Sequence, residues 1–194
     1  MIFIETVPDE DAEGATKILY DQTKTRFGYL PNMAKAFSKR PKVWEAWGAL
    51  LKSISSQMDQ QRYELVTLAA AQELRSSYCM LAHGSVLLRD SFTADELQSI
   101  VNDFQSDKLN STEKEVMQFA RKVVRDASSI TKTDVERLKK EGLSDEEVFD
   151  VVAAASARCF FSKVVDALGA QPDRAYHHLN EDLKSALTVG RAIE

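Results

Sequence analysis

Cys79 and His83 stand four residues apart in the stretch Ser76-Ser77-Tyr78-Cys79-Met80-Leu81-Ala82-His83. In a helix they share one face. An imidazole so placed can take a thiol's proton, and the thiolate is the reactive form of cysteine. A carboxylate, Glu64, lies twelve residues before Ser76. Nucleophile, base and orienting acid are therefore all present by type. The position three before Cys79, where a dithiol redox pair would hold its second sulfur, is Ser76.

Whether these residues meet depends on a break in the chain. In one unbroken helix Glu64 would lie ~22 Å from Cys79. Ser76 and Ser77 are good helix N-caps directly after a helix-favouring run, which predicts a turn near Arg75 and two antiparallel helices. Glu64 and His83 then lie across from each other, offset by ~4.5 Å along the axis. The expected order of contacts runs from Glu64 to His83 to Cys79. Cys79 also falls in the first turn of its helix, where unpaired N–H groups favour a thiolate. Ser76, on the same face, is expected either to hydrogen-bond that thiolate or to cap the helix.

Plainer readings compete at each position. A lone helical cysteine is commonly a small buried apolar residue. His83 by itself reads as a structural histidine, and Glu64 as a surface carboxylate. No metal is expected, because Cys79, His83 and Glu64 are three ligands without a fourth. The adjacent His177 and His178 point to different faces and read as surface or interface residues. Trp44 and Trp47 read as core or subunit interface.

The elements that must carry this site are helical throughout. Apolar spacing near 3.6 recurs, no segment alternates with period two, and the fold class is all-α. Helices are predicted over about 9–26, 32–38, 41–55, 59–74, 76–90, 94–104, 111–126, 131–141, 145–157, 159–168 and 173–187. Gly28 and Pro31 stop the first, and Pro41 opens the third. Thr93/Glu96, Ser111 with the preceding Asn110 and Glu113, and Ser144/Glu147 have capping-box spacing.

Two segments, about 59–90 and 144–168, match without a gap. Glu64 aligns with Glu147, Arg75 with Arg158, Ser76 with Cys159, Cys79 with Ser162 and His83 with Asp166. A repeated helical hairpin about a pseudo-twofold is expected, with the chemistry in the first copy and the second mainly structural.

The 194 residues suit one domain over 1–194, or two small halves packed together. A net charge of −5 with no basic, aromatic-interleaved stretch argues against nucleic acid. No apolar run approaches the ~20 residues of a membrane span. The first residues, Met1 to Pro8, lack the pattern of a signal peptide. Two cysteines, Cys79 and Cys159, make no disulfide framework, and a reducing cytoplasm is the default compartment.

The pattern of Glu64, Ser76, Cys79 and His83, with Arg62-Tyr63-Glu64-Leu65-Val66 and the Tyr78-Cys79 pair, resembles the AhpD-like alkylhydroperoxidases of the carboxymuconolactone decarboxylase superfamily. Phe27-Gly28-Tyr29-Leu30-Pro31-Asn32, Val43-Trp44-Glu45-Ala46-Trp47 and Val164-Val165-Asp166-Ala167-Leu168-Gly169 with Pro172-Asp173 are similar to its peroxidase-related branch. The resemblance covers about residues 15–175. It implies an AhpD-like multi-helical fold, homo-oligomers and no cofactor. Cys79 would be the peroxidatic thiol, with His83 and Glu64 as its proton relay, and a hydroperoxide as substrate. Ser76 stands at the resolving position and cannot form the disulfide, so an external thiol must be the reductant.

Three functions follow. The first is a one-cysteine, peroxidase-like oxidoreductase. The second is a lyase or isomerase acting on a lactone-like acid through His83 and Glu64. The third is a non-catalytic oligomeric scaffold.

Overall fold

Side-chain caps decide where most of the helices begin. The computed structural model describes residues 2–193; Met1 and Glu194, part of the expected 1–194 unit, lie outside the described residues. Ten α-helices and no strand occur among the described residues. They are α1 (Gly14–Phe27), α2 (Asn32–Ala36), α3 (Pro41–Ser55), α4 (Gln60–Glu73), α5 (Ser77–Asp90), α6 (Ala94–Asn102), α7 (Ser111–Asp126), α8 (Lys132–Lys140), α9 (Asp145–Ala167) and α10 (Glu181–Leu187). Reciprocal capping boxes open α6 at Thr93, α7 at Asn110 and α9 at Ser144, all legible in the sequence. A fourth, Thr131 with Asp134, opens α8. Asp59 caps α4 by accepting from the Arg62 N–H at 2.9 Å.

Three boundaries differ from expectation. The first helix starts at Gly14 rather than near residue 9, because Glu13 is extended and Gly14 takes a φ of 52°. The segment 173–187 divides into a 3₁₀ turn, Arg174–His178, and α10, because Asn180 is extended and caps α10 through the Leu183 N–H. The third difference matters most. The expected break between 157 and 159 is absent, and α9 runs unbroken for 23 residues. The first copy breaks at Arg75, which has a positive φ, and Ser77 there accepts the Gly190 N–H; the second has Arg158, Cys159 and Phe160 in unbroken helix. The second segment is therefore a single helix, not a hairpin.

α4 is the centre of the core. Every residue from Tyr63 to Ala71 is buried, and α5, α7 and α9 pack around it. A helix enclosed on all sides needs no polar face, which accounts for Leu68-Ala69-Ala70-Ala71. Trp47 stacks on Phe161, and Trp44 meets Phe37 and Phe161. Both tryptophans thus knit α3 to α9.

The buried Asp173 ties together segments distant in sequence. It accepts hydrogen bonds from the Tyr78 hydroxyl, from the Asn32 N–H at 2.8 Å and from the Tyr29 hydroxyl at 3.4 Å. Burial raises the Asp173 pKa, and its donors oppose that rise. Asp173→Ala strands the Tyr78 hydroxyl and the Asn32 N–H in the interior. The expected cost is about 3 kcal/mol, read as a Tm lower by about 6–12 °C in calorimetry.

Candidate active site

The break that makes the site is the turn Leu74–Ser76. Arg75 takes a φ of 56°, the one positive φ at a non-glycine residue among those described. The Ser76 N–H returns to the Ala71 carbonyl at 2.9 Å. α4 and α5 consequently pack side by side.

The chain's last segment braces this turn. The Gly190 N–H donates to Ser77 Oγ at 2.7 Å, and Arg75 Nε reaches the Val189 carbonyl at 3.4 Å. A Cβ on Gly190 would lie 2.1 Å from the Arg75 carbonyl oxygen. Backbone cannot swing aside as a side-chain end can. Gly190→Ala is expected to cost about 1–3 kcal/mol, seen as a Tm lower by about 2–12 °C.

Across the hairpin, His83 Nδ1 and Glu64 Oε2 are 2.6 Å apart, and both side chains are largely buried. A carboxylate can only accept, so Nδ1 carries the proton and Nε2 keeps its lone pair. Burial, reinforced by the Arg158 charge, lowers the His83 pKa, while Glu64 works to raise it. The imidazole is thus neutral near pH 7, the state of a base. Glu64 also lines a groove of about 220 Å³ together with Asp59, Gln61, Val86 and Ser91.

Cys79 is 1% exposed. Its sulfur accepts from the Ser162 hydroxyl at 3.1 Å and lies 3.7 Å from Arg158 Nη1. No hydrogen bond joins it to His83 or to Ser76. The structure thus brings Glu64 to His83, and gives Cys79 a different set of partners. Ser76 sits at the N-cap position of α5, yet its hydroxyl is fully buried without a hydrogen-bond partner. It lies near enough to Asp166 to pull that carboxyl's pKa down, against burial, which raises it overall.

Arg158 and Ser162 both come from α9, the segment expected to be mainly structural. Arg158 is 3% exposed, and its guanidinium lies over Trp47 and Phe161, at 5.9 and 5.5 Å from the ring centroids. Its Nε has no hydrogen-bond partner. Burial acts to lower the Arg158 pKa, but attraction to the Cys79 sulfur and the Tyr63 oxygen outweighs it. The Tyr63 ring meets His83 edge-on at 6.3 Å, so tyrosine lies between the two halves of the site. The sequence held one signal for Ser162: it is the residue aligned with Cys79 in the repeat, and the two aligned residues touch.

The remaining candidates lie elsewhere. Cys159 is a free, half-buried thiol whose pKa is raised by burial. His177 and His178 are exposed in the 3₁₀ turn. No group of three or more potential metal ligands comes together among the described residues. No helix among them is long and apolar enough to cross a membrane.

Residues 41–103, which hold Glu64, Ser76, Cys79 and His83, match the carboxymuconolactone decarboxylase family. No curated protein matches the whole sequence significantly. Among solved structures, the chain is similar to an alkylhydroperoxidase AhpD core, an uncharacterized peroxidase-related protein of Ralstonia eutropha JMP134. The TM-score is 0.79 at 16% identity, over 98% of both chains. A peroxidase-related protein of Silicibacter sp. TM1040 gives 0.75 at 21% identity, over 90% of this chain and 91% of that one. A cysteine-to-alanine variant of the debrominase Bmp8, in complex with 2,3,4-tribromopyrrole, gives 0.77 at 16% identity, over 96% and 98%.

Proposed function

We propose that the chain is a member of the AhpD-like and carboxymuconolactone decarboxylase superfamily, as the family match over residues 41–103 and the shared fold support, and that it is a one-cysteine oxidoreductase that reduces hydroperoxides through Cys79. The observation that carries this reading is the 2.6 Å contact between Glu64 and a neutral His83, four residues after a buried cysteine. It supplies a base with a free lone pair one helical turn along α5 from a potential nucleophile.

The reaction balances with the residues present. The Cys79 sulfur attacks the terminal oxygen of ROOH. An S–O bond forms and the O–O bond breaks. The sulfur loses two electrons and becomes a sulfenic acid. The thiol's proton, carried by His83, ends on the departing alkoxide as ROH. Ser76 offers no sulfur to condense with the sulfenic acid, so two equivalents of an external thiol return Cys79 to its reduced state, releasing water and a disulfide. Glu64 holds the imidazole in the tautomer that keeps Nε2 unprotonated.

Stopped-flow mixing with tert-butyl hydroperoxide, with dimedone trapping and mass spectrometry, tests the reading. A sulfenic acid on Cys79, formed faster than on a free thiol, is expected; oxidation no faster than a free thiol would sink it. Adding 2,3,4-tribromopyrrole, the ligand of the structurally similar debrominase, separates peroxide reduction from thiol attack on a halogenated ring. The competing lyase reading rests on the same Glu64–His83 contact. It requires Cys79→Ala to remain active on a lactone-like acid.

A further inference from the structure

Arg158 lies outside the segment that matches the family, and its setting is costly. A guanidinium taken out of water loses several kcal/mol unless an anion compensates it. Arg158 forms no ion pair with an Asp or Glu among the described residues. Glu64, the nearby carboxylate, adds attraction at longer range, but its hydrogen bond goes to His83. What does face the guanidinium is the Cys79 sulfur, 3.7 Å from Nη1, with the Ser162 hydroxyl donating to the same sulfur at 3.1 Å. Tyr63 and Glu64 supply part of the compensation; a neutral thiol with only donors around it adds none at the contact itself, whereas a thiolate does. The rings of Trp47 and Phe161 hold the cation in place and exclude water, which strengthens its field at the sulfur.

Resting on the reading of Cys79 as nucleophile, we infer that Arg158 is a catalytic residue: together with Ser162 it holds the Cys79 sulfur in its anionic form for attack. The labour in the site is then divided. α9 supplies the charge that favours the anion, and the Glu64–His83 pair on α4 and α5 carries the proton. The step keeps its balance. The proton leaves sulfur for His83, negative charge moves to the alkoxide as the O–O bond breaks, and Arg158 stays protonated throughout. Its unpartnered Nε also leaves a buried donor in a site where the reaction adds oxygen to sulfur.

The test reads Cys79 itself, apart from turnover. In a Cys159→Ser background, alkylation of Cys79 by iodoacetamide is followed by mass spectrometry from pH 5.5 to 9.5. Arg158→Met is expected to slow alkylation at pH 6.5 by about tenfold, the equivalent of one pH unit. The rate should approach wild type at pH 9.5, and Arg158→Lys should restore most of it at pH 6.5. A purely structural loss would not recover with pH or with lysine. Arg158→Met should still fold, because Cys79 can take up a proton and so leaves no unpaired charge in the interior; its Tm verifies this. Ser162→Ala removes one donor and should slow alkylation at pH 6.5 by about tenfold. A folded Arg158→Met that alkylates like wild type at every pH overturns the inference. Should that variant not fold, a wild-type rate in Ser162→Ala overturns it. Slow peroxide reaction with intact Arg158-dependent alkylation would instead remove the peroxide reading and leave Arg158 in its role.

Discussion

Cys79→Ser is expected to lower hydroperoxide reduction by at least about 10³-fold, since it removes the atom that is oxidised. The change is small in volume, and the new hydroxyl can still accept from Ser162 and Arg158, so the fold should persist. Circular dichroism and Tm would verify that. Ser76→Ala is the informative partner. Its hydroxyl is buried with no well-formed hydrogen bond, only an approach to Asp166, so activity should stay within about twofold and stability should fall by no more than about 1 kcal/mol. A variant pair with the opposite pattern, active without Cys79 and dead without the Ser76 hydroxyl, is incompatible with thiol chemistry. Initial rates with tert-butyl hydroperoxide and dithiothreitol are sufficient to see either pattern.

The second large effect is expected at His83. Removing the base should cost about 10³-fold in turnover, within the range for general acid–base groups. The same residue leaves a mark on stability. Burial, then the Arg158 charge, lowers its pKa from the ordinary 6.5. Between that lowered value and 6.5 the unfolded chain binds a proton that the folded chain does not. Stability contributed by the neutral imidazole is therefore complete above about pH 6.5 and is lost as pH falls through the folded-state value. Urea midpoints at pH 7.5 and 5.5 should show a larger drop for wild type than for His83→Gln. Equal drops would mean that His83 titrates alike in both states.

Local chemistry was the legible part of this chain. Ser76 and Ser77 after a helix-favouring run foretold the α4–α5 hairpin, and three capping boxes fixed the starts of α6, α7 and α9. Such signals act over a few residues and can be read one segment at a time. The misses were of another kind. The alignment of the two copies is a statement about residue types, and a helix break depends on whether a residue competes for backbone hydrogen bonds. Ser77 takes the Gly190 N–H and Arg75 adopts a positive φ, whereas cysteine and phenylalanine at 159 and 160 continue the helix. The partners of Cys79 were hidden because they come from packing α9 against α5, some eighty residues away. Asp173 is similar. Phe27–Asn32 and Pro172-Asp173 stood out as separate stretches, and only the fold shows them joined through one carboxyl.

The unbroken course of α9 bears on how such a centre can be moved or recognised. A graft of residues 59–90 onto another helical scaffold would carry thiol, imidazole and carboxylate, but would leave the guanidinium behind. A search pattern confined to Glu64, Ser76, Cys79 and His83 would likewise treat two proteins as equivalent when only one has a cation at its sulfur. The transferable unit is the hairpin plus the middle of a third helix. On the inference drawn for Arg158, a host that offers an apolar residue there would receive a cysteine about tenfold slower near pH 6.5.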